Sequence, residues 1–275
     1  MTKYKPIGIF DSGYGGLTIL KEIRKQLPAF DYVYLGDNAR TPYGTRSFDV
    51  VYQYTLEAVT KLFSMGCELV VLACNTASAK ALRTIQQNDL PHLSPNKRVL
   101  GVIRPSVEEV VSITRNGHVG VLGTNGTISS LSYVLELNKI SGNKLEISQE
   151  ACPMWVPIVE NNEIGTPGAD FFVQKNIRNL FSADELIDTV VLGCTHYPLL
   201  SETIKKYLPA NVFLVEQGSI VARKLADYLN RHPEMELRCS KQGKMHYYTT
   251  EQPETFDERA SLFIDEVVQS QKIHI

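Results

Sequence analysis

The feature that most limits the fold of this chain is a regular alternation of short apolar runs with amphipathic segments. The runs are rich in Val and Ile without strict polar alternation, which is typical of parallel strands covered on both faces. Eight runs are predicted to be strands: 5–10, 31–35, 68–73, 98–103, 118–123, 144–148, 189–193 and 211–215. Between them, apolar residues recur at helical spacing, as at Leu17, Leu20 and Ile23. Residues 153–168 hold three prolines and two glycines and are predicted to be a loop. The pattern predicts an α/β fold.

An internal similarity divides this α/β chain into two halves. ELVVLACNTASA (68–79) and DTVVLGCTHYPL (188–199) both run from an acidic residue through an apolar strand to a small residue, a cysteine and polar residues. Cys74 and Cys194 are separated by 120 positions (194 − 74). The repeat predicts two pseudo-symmetric halves, each with a cysteine where a strand ends and a helix begins. Because open α/β sheets bind ligands at the carboxyl ends of their strands, both cysteines are expected in a functional site.

Two matched thiols on opposite sides of a cleft suggest a specific chemistry. A cysteine thiol ionises at a pH of about 8.5, so a helix N-terminus or a polar neighbour can make it a thiolate near neutrality. A thiolate can remove a proton from one face of a carbon while a thiol returns one to the other face, which inverts a stereocentre. Cys67, Cys152 and Cys239 lack such motifs and are expected to be buried apolar side chains.

Polar residues beside the two cysteines suit this chemistry. Asn75, Thr76 and Thr195 follow the cysteines into predicted helix starts, where side-chain donors and free N–H groups bind carboxylates. Asp11 follows the first strand and His196 follows Thr195, so each cysteine has an ionisable residue within reach of its motif. A helix cap without catalytic function is the alternative role for these two residues.

Two loops are candidates to enclose a ligand. DSGYGGLT (11–18) is rich in glycine, but Thr18 stands where a dinucleotide-binding turn needs its third glycine, and no G-x-x-x-x-G-K motif follows. Its backbone amides could instead approach a small carboxylate. Tyr43 and Gly44, in NARTPYG (38–44), could close over the same ligand, although an ordinary turn explains this segment equally well.

Composition and motif spacing exclude several other classes. The 28 basic and 30 acidic residues give a formal net charge of −2, which offers no attraction to nucleic acid or to a membrane surface. No apolar run approaches the length of a membrane span or of a signal-peptide core, so a cytoplasmic protein is expected. Cys74, Cys194 and His196 could supply three metal ligands, but no C-x-x-C or H-x-x-x-H pair occurs, and no metal is expected. Two other functions explain the matched cysteines less well. A Cys–His hydrolase would leave one of the two matched cysteines without a function, and a ligand-binding protein of two lobes without catalysis would need neither cysteine.

The motifs together resemble those of the glutamate racemases, cofactor-independent members of the aspartate/glutamate racemase superfamily. The matching stretches keep that family's order over about the first 200 residues: IGIFDSGYGGLTIL (7–20), YLGDNARTPYG (34–44), LACNTASA (72–79), CPMWVPIVE (152–160) and LGCTHYPLL (192–200). The resemblance implies interconversion of L- and D-glutamate, without a cofactor, to supply D-glutamate for bacterial peptidoglycan and so for the cell wall and cell shape. A racemase for aspartate or another amino acid stays open as an alternative, as does a homodimer.

Carried over by position, the resemblance also implies the roles of individual residues. The proton transfers fall to Cys74 and Cys194, with help from Asp11 and His196. The residues expected to contact the small-molecule substrate are Asp11, Ser12, Pro42, Tyr43, Gly44, Asn75, Thr76, Thr124, Thr127, Glu160, Thr195 and His196.

The same resemblance implies a domain organisation. It implies two similar three-layer α/β domains with parallel-rich sheets, related by pseudo-symmetry, with the active site in the cleft between them. Residues 1–98 and 211–275 would form the first domain, which holds Cys74. Residues 99–210 would form the second domain, which holds Cys194.

The sequence departs from the family's usual pattern at three places outside the cysteine motifs. Arg104 stands where relatives often carry Glu, and Glu216–Gln217 replaces an Asp-Ser pair. Gly126 replaces a common Ala, while Thr124 and Thr127 remain beside it to bind a carboxylate. These departures bear on oligomer contacts and regulation more than on the reaction.

Overall fold

The strands of the computed structural model, which describes residues 4–275, form two parallel sheets. They are β1 Ile7–Asp11, β2 Tyr32–Gly36, β3 Leu69–Leu72, β4 Arg98–Gly101, β5 His118–Gly123, β6 Glu146–Ala151, β7 Thr189–Gly193, β8 Phe213–Val215, β9 Met245–Thr249 and β10 Ser270–Lys272. The first sheet has the order β10-β9-β2-β1-β3-β4 and the second the order β6-β5-β7-β8. All their ladders are parallel. The predicted fold class of two parallel-sheet α/β domains is confirmed.

The two sheets share a topology, as the sequence repeat predicts. The order β2-β1-β3-β4 in the first sheet is repeated by β6-β5-β7-β8 in the second, so β3 and β7 occupy equivalent places. Cys74 follows β3 and Cys194 follows β7. The two cysteines therefore lie at the carboxyl ends of equivalent strands, where this class of sheet binds ligands.

Helices connect the strands and cover the sheets. They are α1 Gly16–Gln26, α2 Phe48–Ser64, α3 Asn75–Lys80, α4 Leu82–Thr84, α5 Leu90–Leu93, α6 Ile103–Ile113, α7 Asn125–Ser129, α8 Ser132–Ser141, α9 Trp155–Glu160, α10 Pro167–Ala183, α11 Ser201–Tyr207, α12 Gln217–Arg231, α13 Pro233–Glu236 and α14 Pro253–Ile264. A π-helical turn spans Ile85–Asp89, and 3₁₀ turns span Tyr43–Thr45 and Tyr197–Leu200. Within residues 4–275, each helix is too short or too polar to cross a bilayer.

Each of the eight predicted strands is present, with ends shifted by a few residues. The sequence analysis missed β9 and β10. MHYYT in β9 has only one fully apolar residue, and SQK in β10 has none, so neither carries an apolar signal. Both add to the first sheet beyond β2 through backbone hydrogen bonds, which any residue other than proline can donate.

The prediction that 153–168 is a loop is wrong in part. Residues 155–160 form α9, and α10 begins at Pro167. Both prolines involved, Pro157 and Pro167, lie in the first turn of a helix, where the backbone N–H has no intrahelical partner. Trp155 anchors this region, since its ring is fully buried and its Nε1 donates to Asn176 Oδ1 at 3.0 Å.

Strand pairing also corrects the predicted boundaries at residues 98 and 211. Residues 98–101 pair with β3 in the first sheet, and residues 213–215 pair with β7 in the second. The chain therefore passes to the second sheet after β4 and returns to the first sheet after β8. The predicted boundary at 98 lies before β4 and the one at 211 lies before β8, whereas each crossing comes after that strand. Residues 1–3 of the predicted first domain lie outside the described residues. The assignment of the connecting helices to one domain or the other stays a prediction.

Gly193, the last residue of β7, leaves no room for a side chain. A Cβ there would lie 2.9 Å from the carbonyl oxygen of Leu122 and 3.1 Å from the Tyr133 ring. We predict that Gly193→Ala lowers the free energy of unfolding by about 1–3 kcal/mol, the usual cost of overpacking, in urea denaturation. Gly168→Ala in α10 is the control, because a Cβ there meets only Thr166 Oγ1 at 3.7 Å. Equal losses in the two variants would contradict the prediction.

Candidate active site

Cys74 lies in a buried pocket of the first domain beside Ser12 and Asp11. It caps the N-terminus of α3: its Sγ accepts a hydrogen bond from Ala77 N at 3.4 Å and lies 3.4 Å from Ser12 Oγ. Burial, followed by the negative charge of Asp11, raises the pKa of Cys74 to about 12, although the contacts with Ser12 and Ala77 oppose this. Cys74 is therefore a neutral thiol near pH 7.

Asp11 ends β1 and is only 1% exposed. Burial raises the pKa of its carboxyl above the ordinary value, against the attraction of His196 and the hydrogen bonds from Gly13 and Gly16. Gly13 N donates to Asp11 Oδ1 at 2.8 Å. A carboxyl with a raised pKa beside a thiol can exchange a proton with it more readily than an ordinary aspartate.

Cys194, in the second domain, has a cation for a neighbour. Its Sγ lies 3.8 Å from His196 Nδ1, and His196 Nε2 lies 2.9 Å from Glu160 Oε1. Burial lowers the pKa of His196, but the hydrogen bonds to Cys194 and Glu160 outweigh it and raise the pKa to about 10. His196 is therefore an imidazolium near pH 7. A positive charge thus lies beside the Cys194 sulfur.

A cluster of three threonine hydroxyls lies between the two domains. Thr76 Oγ1, on α3, is 2.9 Å from Thr124 Oγ1 and 3.4 Å from Thr127 Oγ1, which are 3.1 Å from each other. Thr124 caps α7, and its Oγ1 also accepts from Thr127 N. Together the hydroxyls can donate several hydrogen bonds to one carboxylate, and they reach it from both domains.

The glycine-rich loop of the first domain packs directly on the second cysteine motif. A Cβ at Gly15 would lie 2.3 Å from Thr195 Oγ1 and 2.5 Å from His196 Nδ1, so this contact requires glycine. The hydroxyl proton of Thr18 is shared between the carbonyl oxygens of Gly15 at 2.8 Å and Thr195 at 3.1 Å. The loop therefore holds the Thr195–His196 backbone close to the first domain.

The loop before α2 contains Pro42, Tyr43 and Gly44, whose contact with a substrate stays a prediction. Tyr43 is buried, but its hydroxyl donates to Asp37 Oδ2 at 2.5 Å and is not free for a substrate. Gly44 packs on Thr124, since a Cβ there would lie 2.9 Å from Thr124 Cβ. Pro42 is exposed, and the structure does not bring it into the buried cluster around the cysteines.

Asn75 is also engaged within the protein. Its Oδ1 accepts from Tyr133 OH at 2.7 Å, and its Nδ2 donates to Gln217 Oε1 at 2.6 Å, which leaves one N–H for a ligand. The sequence analysis did not assign three residues of this region to the site: Asp37, Tyr133 and Gln217. Asp37 follows β2 at the ligand-binding edge, so its position in the sequence could have indicated it. Tyr133 lies in the first turn of α8 and belongs to no motif, and Gln217, the first residue of α12, stood out only as a departure from the family's usual pattern.

No group of three His, Cys, Asp or Glu side chains within residues 4–275 could hold a metal ion. The polar groups around Cys74 and Cys194 are instead paired with each other. The arrangement therefore places a neutral thiol beside a carboxyl and a second thiol beside an imidazolium, at one cleft.

Glu160→Gln tests the charge arrangement at His196. The amide removes the negative charge, so the pKa of His196 should fall from about 10 toward 6.5. Because the pKa of the folded parent lies above the unfolded value, the stabilisation from this protonation is complete below pH 6.5 and is lost as the pH rises to about 10. In chemical denaturation, the stability difference between parent and Glu160→Gln should therefore shrink between these pH values. Glu163→Gln, an exposed glutamate nearby, is the control; a pH-independent difference for Glu160→Gln would be evidence against the pair.

Comparisons with known proteins place this site in a family. Residues 7–225 match the family model described as Asp/Glu/Hydantoin racemase. A glutamate racemase from Geobacter metallireducens is 42% identical over 254 residues, which is 92% of this chain and 90% of that protein. The crystal structure of glutamate racemase isoform RacE1 from Bacillus anthracis has a TM-score of 0.89 and 33% identity, with 99% of this chain and 98% of that chain covered. That of the Francisella tularensis glutamate racemase with D-glutamate has a TM-score of 0.87 and 29% identity, with 98% and 97% covered. The chain therefore belongs to the glutamate racemase family of amino-acid isomerases.

Proposed function

We propose that this protein interconverts L- and D-glutamate without a cofactor, with Cys74 and Cys194 as the two proton-transfer groups. The observation that carries this proposal is the opposite environment of two buried thiols at equivalent strand ends. Cys74 lies beside the carboxyl of Asp11, and Cys194 lies beside the imidazolium of His196. Cys74, as a neutral thiol, can thus donate a proton, and Cys194, as a thiolate beside a cation, can accept one.

In the direction from L- to D-glutamate, the Cys194 thiolate removes the Cα proton, and the imidazolium of His196 stabilises that thiolate beforehand. The Cys74 thiol donates its proton to the opposite face of Cα. After one turnover Cys194 carries a proton and Cys74 is a thiolate, which is the state required for the reverse reaction. In that state Asp11 differs from His196, because it has no positive charge to stabilise the Cys74 thiolate. Its raised pKa instead lets it hold a proton, which removes the negative charge that opposes this thiolate.

Glutamate fits the hydrogen-bond donors around the thiols. Its carboxylates would be bound by the hydroxyls of Thr76, Thr124 and Thr127, with Ser12 and the free N–H of Asn75 nearby. The related Francisella tularensis enzyme was crystallised with D-glutamate, which supports the same ligand here. The supply of D-glutamate for peptidoglycan and a cytoplasmic location are part of the proposal and rest on the resemblance alone.

Replacing either cysteine tests the two-thiol scheme. Cys74→Ser and Cys194→Ser should each lower kcat/KM for racemisation by about 10²- to 10⁴-fold, because each removes one acid-base group. The measurement is the change of circular dichroism when L- or D-glutamate is the starting isomer. Cys239→Ser is the matched control, since Cys239 is also buried and free but lies outside the site. Full activity in Cys74→Ser or Cys194→Ser would contradict the two-thiol scheme.

The same enzyme in heavy water distinguishes two bases from one. Early in the reaction from L-glutamate, the D-glutamate product should carry deuterium at Cα while the remaining L-glutamate does not. Deuterium entering both isomers at one rate would indicate a single base.

A parallel assay with L-aspartate tests the alternative substrate: a kcat/KM equal to or above that for glutamate would favour an aspartate racemase.

Thr76→Val tests carboxylate binding by the threonine cluster. Loss of a hydrogen bond to a charged group costs about 1.5–3 kcal/mol, so kcat/KM should fall by about tenfold or more. Thr55→Val is the matched control, because Thr55 is fully buried and its hydroxyl bonds within α2 to Val51 O at 2.7 Å. If Thr76→Val keeps the kinetics of the parent, the cluster has only a structural role.

A further inference from the structure

A closed network of buried hydrogen bonds joins the two domains next to the Cys74 motif. Its members are Asn75, Ser106, Tyr133 and Gln217, and none is more than 2% exposed. Tyr133 OH donates to Asn75 Oδ1 at 2.7 Å, and Asn75 Nδ2 donates to Gln217 Oε1 at 2.6 Å. Gln217 Nε2 completes the ring with hydrogen bonds to Tyr133 OH at 2.8 Å and Ser106 Oγ at 2.7 Å.

The polar atoms of this ring find their partners within the network. Ser106 Oγ donates to Val102 O at 2.8 Å and accepts from Gln217 Nε2 at 2.7 Å. Because all four side chains are buried, loss of one member would leave a buried polar atom without its partner, and the remaining side chains would have to shift to regain one.

Tyr133 contacts the segments that carry both thiols. Its hydroxyl binds Asn75, the residue that directly follows Cys74. Its ring packs on Gly193, the residue that directly precedes Cys194, where a Cβ would lie 3.1 Å from the ring. One phenol side chain thus lies between the two backbone segments whose separation sets the distance between the sulfur atoms.

We propose that Tyr133 and Gln217 are positioning residues that hold Cys74 and Cys194 at the separation needed to reach one Cα from opposite faces. This inference rests on the two-thiol function proposed above. Proton transfer requires both reacting groups in near-contact, and a misplacement of about 1 Å can cost about 10²-fold in rate. The two sulfur atoms have their hydrogen bonds with Ser12, Ala77 and His196, so Tyr133 and Gln217 act on the rate through the residues next to the thiols.

Tyr133→Phe is the primary test. It keeps the ring on Gly193 but removes the hydroxyl that binds Asn75. We expect kcat to fall by at least about tenfold in both directions with KM changed less, and the isotope effect on kcat with Cα-deuterated glutamate to rise, because proton transfer becomes slower. Partial unfolding alone would lower the apparent kcat without changing KM or the isotope effect.

Tyr32→Phe is the matched control. Tyr32 is 1% exposed, and its hydroxyl donates to Leu27 O at 2.7 Å at the amino end of β2, away from the cysteines. It should keep the kcat and isotope effect of the parent. Gln217→Met, which keeps the side-chain length without the amide, should resemble Tyr133→Phe, and the double variant should lose less than the product of the two effects, since both break one network.

The outcomes separate this proposal from the two-thiol function. If Cys74→Ser and Cys194→Ser abolish racemisation while Tyr133→Phe keeps the parent kcat and isotope effect, the positioning role is wrong and the two-thiol function stands. If Tyr32→Phe lowers kcat as much as Tyr133→Phe, the effect is a general one of burial, and the positioning role is again wrong. If the cysteine variants stay active, the underlying function fails first.

Discussion

Burial of the two thiols is the constraint on which the rest of this site depends. Cys74 and Cys194 are each 6% exposed, and in such surroundings a charge persists only where a partner stabilises it. The partners are accordingly present: the imidazolium of His196 is paired with Glu160, and the backbone amides of Gly13 and Gly16 surround Asp11. The same burial that makes an isolated thiolate costly also strengthens the electrostatic interaction of each thiol with its charged neighbour.

The two halves combine a symmetric fold with unequal chemistry. Strands β3 and β7 occupy equivalent places in sheets of the same order, so the cysteines face one cleft from related positions. Their neighbours do not follow the symmetry. Asp11 reaches Cys74 from the end of β1, whereas His196 reaches Cys194 from two residues along the same loop. In the proposed function, the symmetric frame would let the two thiols approach one carbon from opposite sides, and their unequal neighbours would make one an acid and the other a base.

Much of this could be predicted from the sequence, because the informative residues lie at strand ends. The Cys74 and Cys194 motifs stood out since strand, small residue, cysteine and polar residues all fall within about ten positions. Strand β10 could not be found, because its three residues have no apolar pattern and are held by backbone pairing. The hydrogen-bonded ring through Tyr133 could not be predicted either, because it depends on how four helices that are far apart in the sequence pack together. The hydrogen bond from the Tyr43 hydroxyl to Asp37 was also beyond prediction, because a short motif does not show which side chain a buried hydroxyl meets.

The chain crosses between the sheets twice, after β4 and after β8, and the two crossings are neighbours in space. Gln217 Nε2, just after the second crossing, lies 3.4 Å from Val102 O, just after the first. Two adjacent covalent connections restrict a relative movement of the domains to rotation about the line through them. The hydrogen bond from Asn75 to Gln217 lies beside that line, so a rotation of one domain would displace it less than contacts far from the line. The covalent connections and this buried hydrogen bond therefore constrain the same end of the interface between the domains.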